Sequence, residues 1–220
     1  MKLVSDELGR VVQLFIADEI GPFGGIYIPD LYQLISERYG FVKQSDMAKV
    51  LEAGAKFEQG RLKVGEKNIN IMDLTIFNDG IVINGRNTVD ASAVMDDLLV
   101  WGKQAFGLRE PETKITRRYI SHVVVDFNKP IDNALRGFGA IRRTLSDSYK
   151  QVYGADVNYD LFRVSLTVDP QTIPPQTFTE FAIERRVGVP YSKNRFFSVA
   201  PLTTQAHLAL LEVVEREFGG

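Results

Sequence analysis

The 220 residues are 45% hydrophobic and 25% charged, so the chain can bury a substantial core and has no stretch of disordered composition. Its 26 lysines and arginines nearly balance 28 aspartates and glutamates, for a net charge of -2. This balance does not indicate a nucleic-acid-binding domain, which usually carries a plainly basic surface. The sequence has no cysteine, which excludes disulfides, thiolate chemistry and Cys-ligated zinc or iron–sulfur sites.

The amino-terminal segment does not read as a targeting signal. Asp6, Glu7 and Arg10 interrupt the apolar run that a secretory signal would need. The sequence also lacks any window of about 18 apolar residues, the length that a membrane-spanning helix requires. We therefore predict a cytoplasmic protein that does not engage a membrane.

The first half of the chain is predicted to alternate strands and helices. A run of β-branched and large apolar residues at 10–20 predicts a strand, and the glycine-rich segment 21–25 ends it. Apolar residues at helical spacing follow, with Asp30 expected to cap that helix and Gly40 to stop it. The remaining elements predicted here are a short helix capped by Ser45, three strands and a long helix, at 45–55, 56–64, 67–77, 80–86 and 88–106.

Two local signals in this half are specific. Asn78-Asp79-Gly80 between apolar runs predicts a tight hairpin turn, and it is the clearest hairpin signal in the chain. Before the long helix, Asn87 or Thr88 can accept the free amide hydrogens of the first turn. The carboxylate of Asp90 suits the positive end of the same helix.

The second half is predicted to repeat this order. A strand at 119–127 precedes a helix defined by one continuous apolar stripe, formed by Ile131, Leu135, Phe138, Ile141, Leu145, Tyr149 and Val152. Three strands follow, at 159–168, 177–186 and 195–199. The last helix is expected to be largely buried because it carries five apolar residues, Leu208, Leu210, Leu211, Val213 and Val214.

Similar sequences occupy matching slots in the two halves. The segment 35–40 (ISERYG) ends the first helix and 149–154 (YKQVYG) ends its counterpart, while 72–79 and 179–186 fall in equivalent strands. We predict an α+β fold, a mainly antiparallel sheet with helices packed on one face, built from two pseudo-repeats of strand, helix, strands and helix. The doubled order is similar to duplicated saddle or helix-grip architectures, an analogy that implies no function.

Residues 1–220 are predicted to form a single domain with two structural halves, 1–108 and 115–220. The polar segment between these halves contains Pro111, which bars a regular helix there. Either half alone would have a small core of marginal stability, so we interpret this segment as a joint within one domain.

One segment has the composition of a binding loop. Residues 184–197 combine four cations and a tyrosine that could grip a phosphate or stack on a base: Arg185, Arg186, Tyr191, Lys193 and Arg195. Further cations lie elsewhere in the second half, namely Lys114, Arg117, Arg118, Arg142 and Arg143. Most such charges on a protein surface simply face water, so nucleic-acid contact through this loop is an alternative rather than the first hypothesis.

The other polar residues are not spaced in a way that predicts a catalytic, metal-binding or anion-binding site. His122 and His207 lack the spacing of metal ligands, and one is expected in a strand and the other partly packed in a helix. Carboxylates adjacent in sequence, such as Asp96 and Asp97, diverge and are expected at the surface. The segment 21–25 could expose amides to an anion, but its glycine spacing favours a ligand-free bend. We predict no catalytic residue, no metal site and no cofactor.

Three functional hypotheses remain open. The first is a non-catalytic binding or assembly module with a protein partner or a second copy of itself. The second is sequence-tolerant nucleic-acid binding through the loop of Arg185 and Arg186. The third is a small-ligand binder or enzyme with a pocket between helix and sheet.

Overall fold

The structure, a computed structural model, describes residues 1–111, 115–131, 134, 137–172 and 178–219, apart from the side chains of 17, 18 and 170. The predicted surface cation Lys114, the stripe residue Leu135 and the first residue of the predicted strand 177–186 lie outside the described residues. None of the described helices is both long enough and apolar enough to cross a membrane.

Nine antiparallel strands form the sheet, which confirms the predicted α+β class. In chain order the strands are β1 (Lys2–Leu14), β2 (Lys43–Gln44), β3 (Ala55–Val64), β4 (Lys67–Phe77), β5 (Gly80–Gly85), β6 (Thr116–Asp126), β7 (Arg163–Leu166), β8 (Phe181–Arg185) and β9 (Arg195–Ala200). The helices are α1 (Ala17–Ile20), α2 (Ile28–Tyr39), α3 (Val50–Ala53), α4 (Thr88–Phe106), α5 (Gly139–Tyr153) and α6 (Thr204–Phe218). The predicted hairpin joins β4 to β5.

The strand order repeats between the two halves of the sheet. The sheet runs β2-β3-β4-β5-β1-β6-β9-β8-β7, so each half places its first strand innermost, its last strand next and its earlier strands outside. The strands containing 72–77 and 181–185 therefore occupy equivalent slots, as predicted. Helices α2 and α5 both end at a glycine in the left-handed conformation, Gly40 at φ 58° and Gly154 at φ 68°.

Two compact units divide the chain by their internal contacts. The N-terminal unit comprises Asp6–His122 with Pro201–Thr204, and the C-terminal unit comprises Met1–Ser5, Val123–Ala200 and Gln205–Gly220. The predicted subdivision into halves 1–108 and 115–220 stays a prediction.

The core of the N-terminal unit lies between one face of its strands and the helices α2 and α4. Leu31, Tyr32, Ile35 and Tyr39 of α2 and Ala91, Val94, Met95 and Leu98 of α4 belong to the same buried cluster as the inward-facing strand residues. Rings of Tyr32 and Phe57 lie 5.1 Å apart between centroids, so α2 covers the outer strand β3. Burial of this face is the main stabilising contribution in the unit.

The start of α4 is fixed by polar groups within the N-terminal unit. Asn87 Oδ1 accepts a hydrogen bond from the amide of Asp90 at 2.9 Å, which confirms the predicted cap. Thr88 and Thr204 exchange backbone-to-hydroxyl bonds, with the Thr204 amide 2.8 Å from Thr88 Oγ1 and the Thr88 amide 3.1 Å from Thr204 Oγ1. Thr88 and Thr204, the first residues of α4 and α6, therefore satisfy each other's helix-start amides.

The C-terminal unit has a smaller core. Its buried cluster combines residues of β6, β8 and β9 with one side of α6, namely Val123, Val125, Phe127, Ile131, Leu161, Ile183, Phe196, Leu211 and Val214. Helix α6 buries only this side and exposes Val213, so the prediction that it is largely buried is wrong. The Met1 ammonium group pairs with Glu215 of the same helix.

Several element ends differ from the sequence predictions. Strand β1 begins at Lys2 rather than at residue 10, and α5 begins at Gly139 rather than near Ile131. Tyr27, and not Asp30, occupies the N-cap of α2, because Pro29 already suits the first turn without a side-chain cap. These differences arise because local patterns locate an element better than they locate its ends.

Candidate functional site

The five residues predicted to form a binding loop lie in or beside the turn that joins β8 to β9. Arg185 ends β8, and Arg195 begins β9. Arg186, Tyr191 and Lys193 are exposed, whereas the Arg185 side chain is buried. The five residues therefore belong to one hairpin but differ in how far their side chains are buried.

Arg185 makes internal contacts. Its Nε donates to the carbonyl oxygen of Leu161 at 3.0 Å, and its Nη1 donates to that of Tyr191 at 2.8 Å. The guanidinium carbon lies 4.3 Å from the centroid of the Tyr191 ring and 4.8 Å from that of Phe196. Arg185 therefore ties the β8–β9 turn to the interior of the unit.

Arg195 is paired with a carboxylate. Its Nε and Nη2 donate to the two oxygens of Asp126 at 2.7 and 2.8 Å. Hydrogen bonding to the Arg195 guanidinium lowers the pKa of Asp126 below its ordinary value. Arg117 and Arg142 are also engaged, with Asp96 and with the carbonyl of Tyr159.

Nucleic-acid contact through this hairpin stays a prediction. Of its four cations, Arg186 and Lys193 are the two that are exposed. Arg186 lies near Phe197, with its guanidinium carbon 5.9 Å from the ring centroid. Any anion bound here would therefore meet Arg186 and Lys193 before the other two cations.

A buried serine–histidine pair lies in the C-terminal unit. Ser198 Oγ is 2.8 Å from His207 Nε2 and donates to the carbonyl of Ala182 at 2.7 Å. Because a hydroxyl has one hydrogen, Ser198 accepts from the histidine instead of giving its proton to it. Both side chains are fully buried, which corrects the expectation that His207 is only partly packed. The pair holds α6 against β9 and has no access to a substrate.

The carboxylate of Asp97 lies partly exposed at the surface, as predicted, but it is paired with neighbouring side chains. Arg38 donates to both of its oxygens, from Nε at 3.0 Å and from Nη2 at 2.6 Å, and Tyr39 Oη donates at 2.8 Å. Burial and the hydrogen bond to Asp97 both raise the pKa of Tyr39. This cluster joins α2 to α4 and has the geometry of a structural contact. Among the described residues, no three histidine or acidic side chains lie close enough to hold a metal ion.

The half-buried His122 of β6 is expected to make stability depend on pH. Burial lowers its pKa below the ordinary 6.5, and nearby Arg10 adds to this while Glu7 opposes it. The unfolded chain then binds the proton more readily, so the free energy of unfolding is highest above pH 6.5 and falls as the pH drops from there toward the folded-state pKa. Melting temperatures measured from about pH 5 to 8 should show a shallower slope for His122→Gln. Equal slopes in the two proteins would contradict this.

Helix α5 is attached to its unit by its polar side. Arg142 Nε donates to the carbonyl of Tyr159 at 2.7 Å, and Lys150 Nζ lies 2.8 Å from Asp156 Oδ1. The most shielded residues of the helix, Arg142, Ser146 and Tyr149, form this attached side. Arg142 and Ser146 are therefore the two polar residues of the helix turned toward the chain, and its other polar residues, Lys150 among them, are exposed.

The apolar side of α5 faces solvent. We define the α5 stripe as Phe138, Ile141, Leu145 and Val152, whose exposed fractions are between 45% and 70%. All 15 residues of α5 are described and none is buried. The prediction of an amphipathic helix is confirmed from 139 onward. Of the predicted stripe, Ile131 is buried in the core, whereas the members on α5 are not. Its counterpart α2 buries four residues against its own strands.

The outer strand β7 also has uncovered apolar residues. Val164 packs against the core of the unit, and side chains two positions away on either side share its face of the sheet. Those side chains are Phe162 and Leu166, 49% and 61% exposed, which we call the β7 row. In the N-terminal unit the equivalent strand β3 is covered by α2, whereas Phe162 and Leu166 are exposed among the described residues of the C-terminal unit.

No family model matches the sequence, and no curated protein matches it. Among solved structures, Methanococcus jannaschii TBP is similar over 96% of this chain and 97% of that chain, at 13% sequence identity and a TM-score of 0.41. A match of this TM-score carries no argument about function. The candidate site therefore rests on the contacts and exposure within this chain.

Proposed function

We propose that the protein is a non-catalytic assembly module and that two copies associate through the α5 stripe and the β7 row. The observation that supports this proposal most is the orientation of α5, which contacts its own unit through Arg142 while its apolar stripe is exposed. Large exposed apolar patches on folded proteins mark interaction surfaces.

The sequence of α5 suits pairing with an identical helix. Phe138, Leu145 and Val152 recur every seven residues, the repeat that lets two helices pack along one seam. Thr144 and Gln151 flank the seam on one side, and the cation on the other side, Arg142, is already engaged. Two copies can therefore approach around a two-fold axis without like charges meeting at the seam.

The area that a dimer must bury is the reason for including the β7 row in the proposed interface. A helix of 15 residues is about 22 Å long and about 10 Å wide. That footprint is well below the roughly 800 Å² that each partner buries in a standard interface. The additional apolar residues of the C-terminal unit, Phe162 and Leu166, supply a second contact region.

Substituting Val152 tests the proposal directly. Sedimentation equilibrium of the wild-type chain should show a monomer–dimer equilibrium, and Val152→Glu should weaken dimerisation at least about tenfold, because each copy would bury an unpaired carboxylate. The matched control is Val100→Glu, another exposed valine on a helix, in the N-terminal unit. Its dimerisation constant should equal that of the wild type.

Two results would contradict the proposal. One is a wild-type chain that remains monomeric up to about 100 μM, where even a micromolar affinity would give mostly dimer. The other is equal weakening by Val152→Glu and Val100→Glu. Circular dichroism of both variants establishes that each is folded before the constants are compared.

A further inference from the structure

The N-terminal unit contains a cavity of about 180 Å³ between α2, α4 and the β4–β5 hairpin. Its walls are built from residues of five elements. Apolar side chains of the wall include Ile35, Ile76, Ile81, Leu98, Leu99 and Phe106. Phe77, also in the wall, is 38% exposed, so the cavity is reachable from the surface. Arg109 Nε donates a hydrogen bond to the carbonyl oxygen of Gly21, a residue of the cavity wall. This bond holds the first residue of the segment 21–25 in place.

The lining determines which chemistry the cavity can accept. None of the residues that line it carries a charge, and the side-chain amide of Asn78 is the one polar side chain among them. A charged group placed here would lose its hydration with no counter-charge among the lining residues, which is strongly unfavourable. A neutral apolar molecule has no comparable hydration free energy to lose, and it gains van der Waals contacts with the aliphatic and aromatic walls.

Size narrows the class of ligand further. Apolar cavities of roughly 150 Å³ lined by Leu, Ile and Phe bind benzene. The cavity here is slightly larger and has the same kind of lining. We infer that it is a binding site for a neutral, apolar small molecule the size of one substituted aromatic ring. This inference is independent of the proposed self-association, which concerns residues of the other unit.

The protein contains its own reporter for this site. Trp101 is the single tryptophan of the chain, and its ring lies 5.3 Å from that of the wall residue Phe106. A molecule bound against Phe106 should change the environment of Trp101. The site can therefore be tested without knowing the natural ligand.

Toluene and benzoate distinguish the proposed chemistry from nonspecific adsorption. Toluene should change Trp101 fluorescence in a saturable manner and raise the melting temperature by about 2 °C or more at saturating concentration. Benzoate has a similar shape but carries a charge, and should do neither. Absence of a toluene effect, or an equal effect of benzoate, would overturn the inference.

Filling the cavity provides the second test. The double variant Ile76→Phe/Leu99→Phe should lose most of the toluene response, with Leu99→Phe alone giving a partial loss. Leu145→Phe, the same change on the exposed α5 stripe, is the matched control and should respond like the wild type. Intermolecular nuclear Overhauser effects from toluene to methyl groups of Ile35, Ile81 and Leu98 are expected in the wild type. Effects confined to other methyl groups, or an unchanged response in the filled variants, would refute the site.

Discussion

Replacing Gly9 by alanine is expected to destabilise the protein by about 3 kcal/mol or more, because β1 passes directly against the start of α4. A Cβ atom at Gly9 would lie 1.9 Å from the backbone carbon of Asn87 and 2.1 Å from the amide nitrogen of Thr88. Neither atom belongs to a flexible side chain, so the helix start itself would have to move. Urea denaturation followed by Trp101 fluorescence measures the loss.

The cross-strand partner of Gly9 is its matched control. Gly85 pairs with Gly9 in the β1–β5 register, and neither glycine has a positive φ angle. A Cβ atom at Gly85 would meet its nearest neighbour at 3.5 Å, an ordinary van der Waals distance. Gly85→Ala should therefore cost less than about 1 kcal/mol, since alanine also loses less backbone entropy on folding. Equal losses for the two variants would contradict the close approach of β1 and α4.

Arg185→Met should be the second large loss, at about 3 kcal/mol. The substitution keeps much of the apolar volume but removes the donors to the carbonyls of Leu161 and Tyr191. Those carbonyls would lose their bonds to the guanidinium, and the stacking on Tyr191 and Phe196 would be lost as well. Thermal and urea denaturation of the variant measure the change.

Arg186→Met, one residue further along, is the control for Arg185→Met. Arg186 is exposed, so its loss should change the free energy of unfolding by less than about 0.5 kcal/mol. Similar losses in both variants would contradict an internal role for Arg185. The comparison also shows how to test nucleic-acid contact. Such a test should substitute Arg186 and Lys193. An Arg185 variant is unsuitable, because its loss of binding could follow from a weakened fold.

Much of the fold was predictable because its signals are local. Strand-forming apolar residues at 67–77 and 80–86, with Asn78-Asp79-Gly80 between them, specify a hairpin from one stretch of chain. Asn87 reaches an amide only three residues away, so its role as a cap could be inferred from sequence. The repeated segments 35–40 and 149–154 both end helices at a left-handed glycine.

The candidate surfaces could not be derived in the same way, because they depend on residues distant in sequence. The apolar stripe of α5 indicates an amphipathic helix, and such a stripe usually faces the core. Its orientation here follows from bonds that Arg142 and Lys150 make to the following segment. The cavity likewise combines side chains from several elements whose spacing along the chain carries no common pattern.

The sequence by itself determined the α+β class, the doubled order of elements, the cap of α4 and the glycine ends of α2 and α5, because each of these follows from periodicity or from bonds a few residues long. Tertiary structure decided which of two adjacent arginines is internal, since one of the two carbonyls that accept from Arg185 lies 24 residues away. It also decided that Gly9 must remain a glycine and that the α5 stripe is exposed, because packing between distant segments sets how much space and how much cover a residue has.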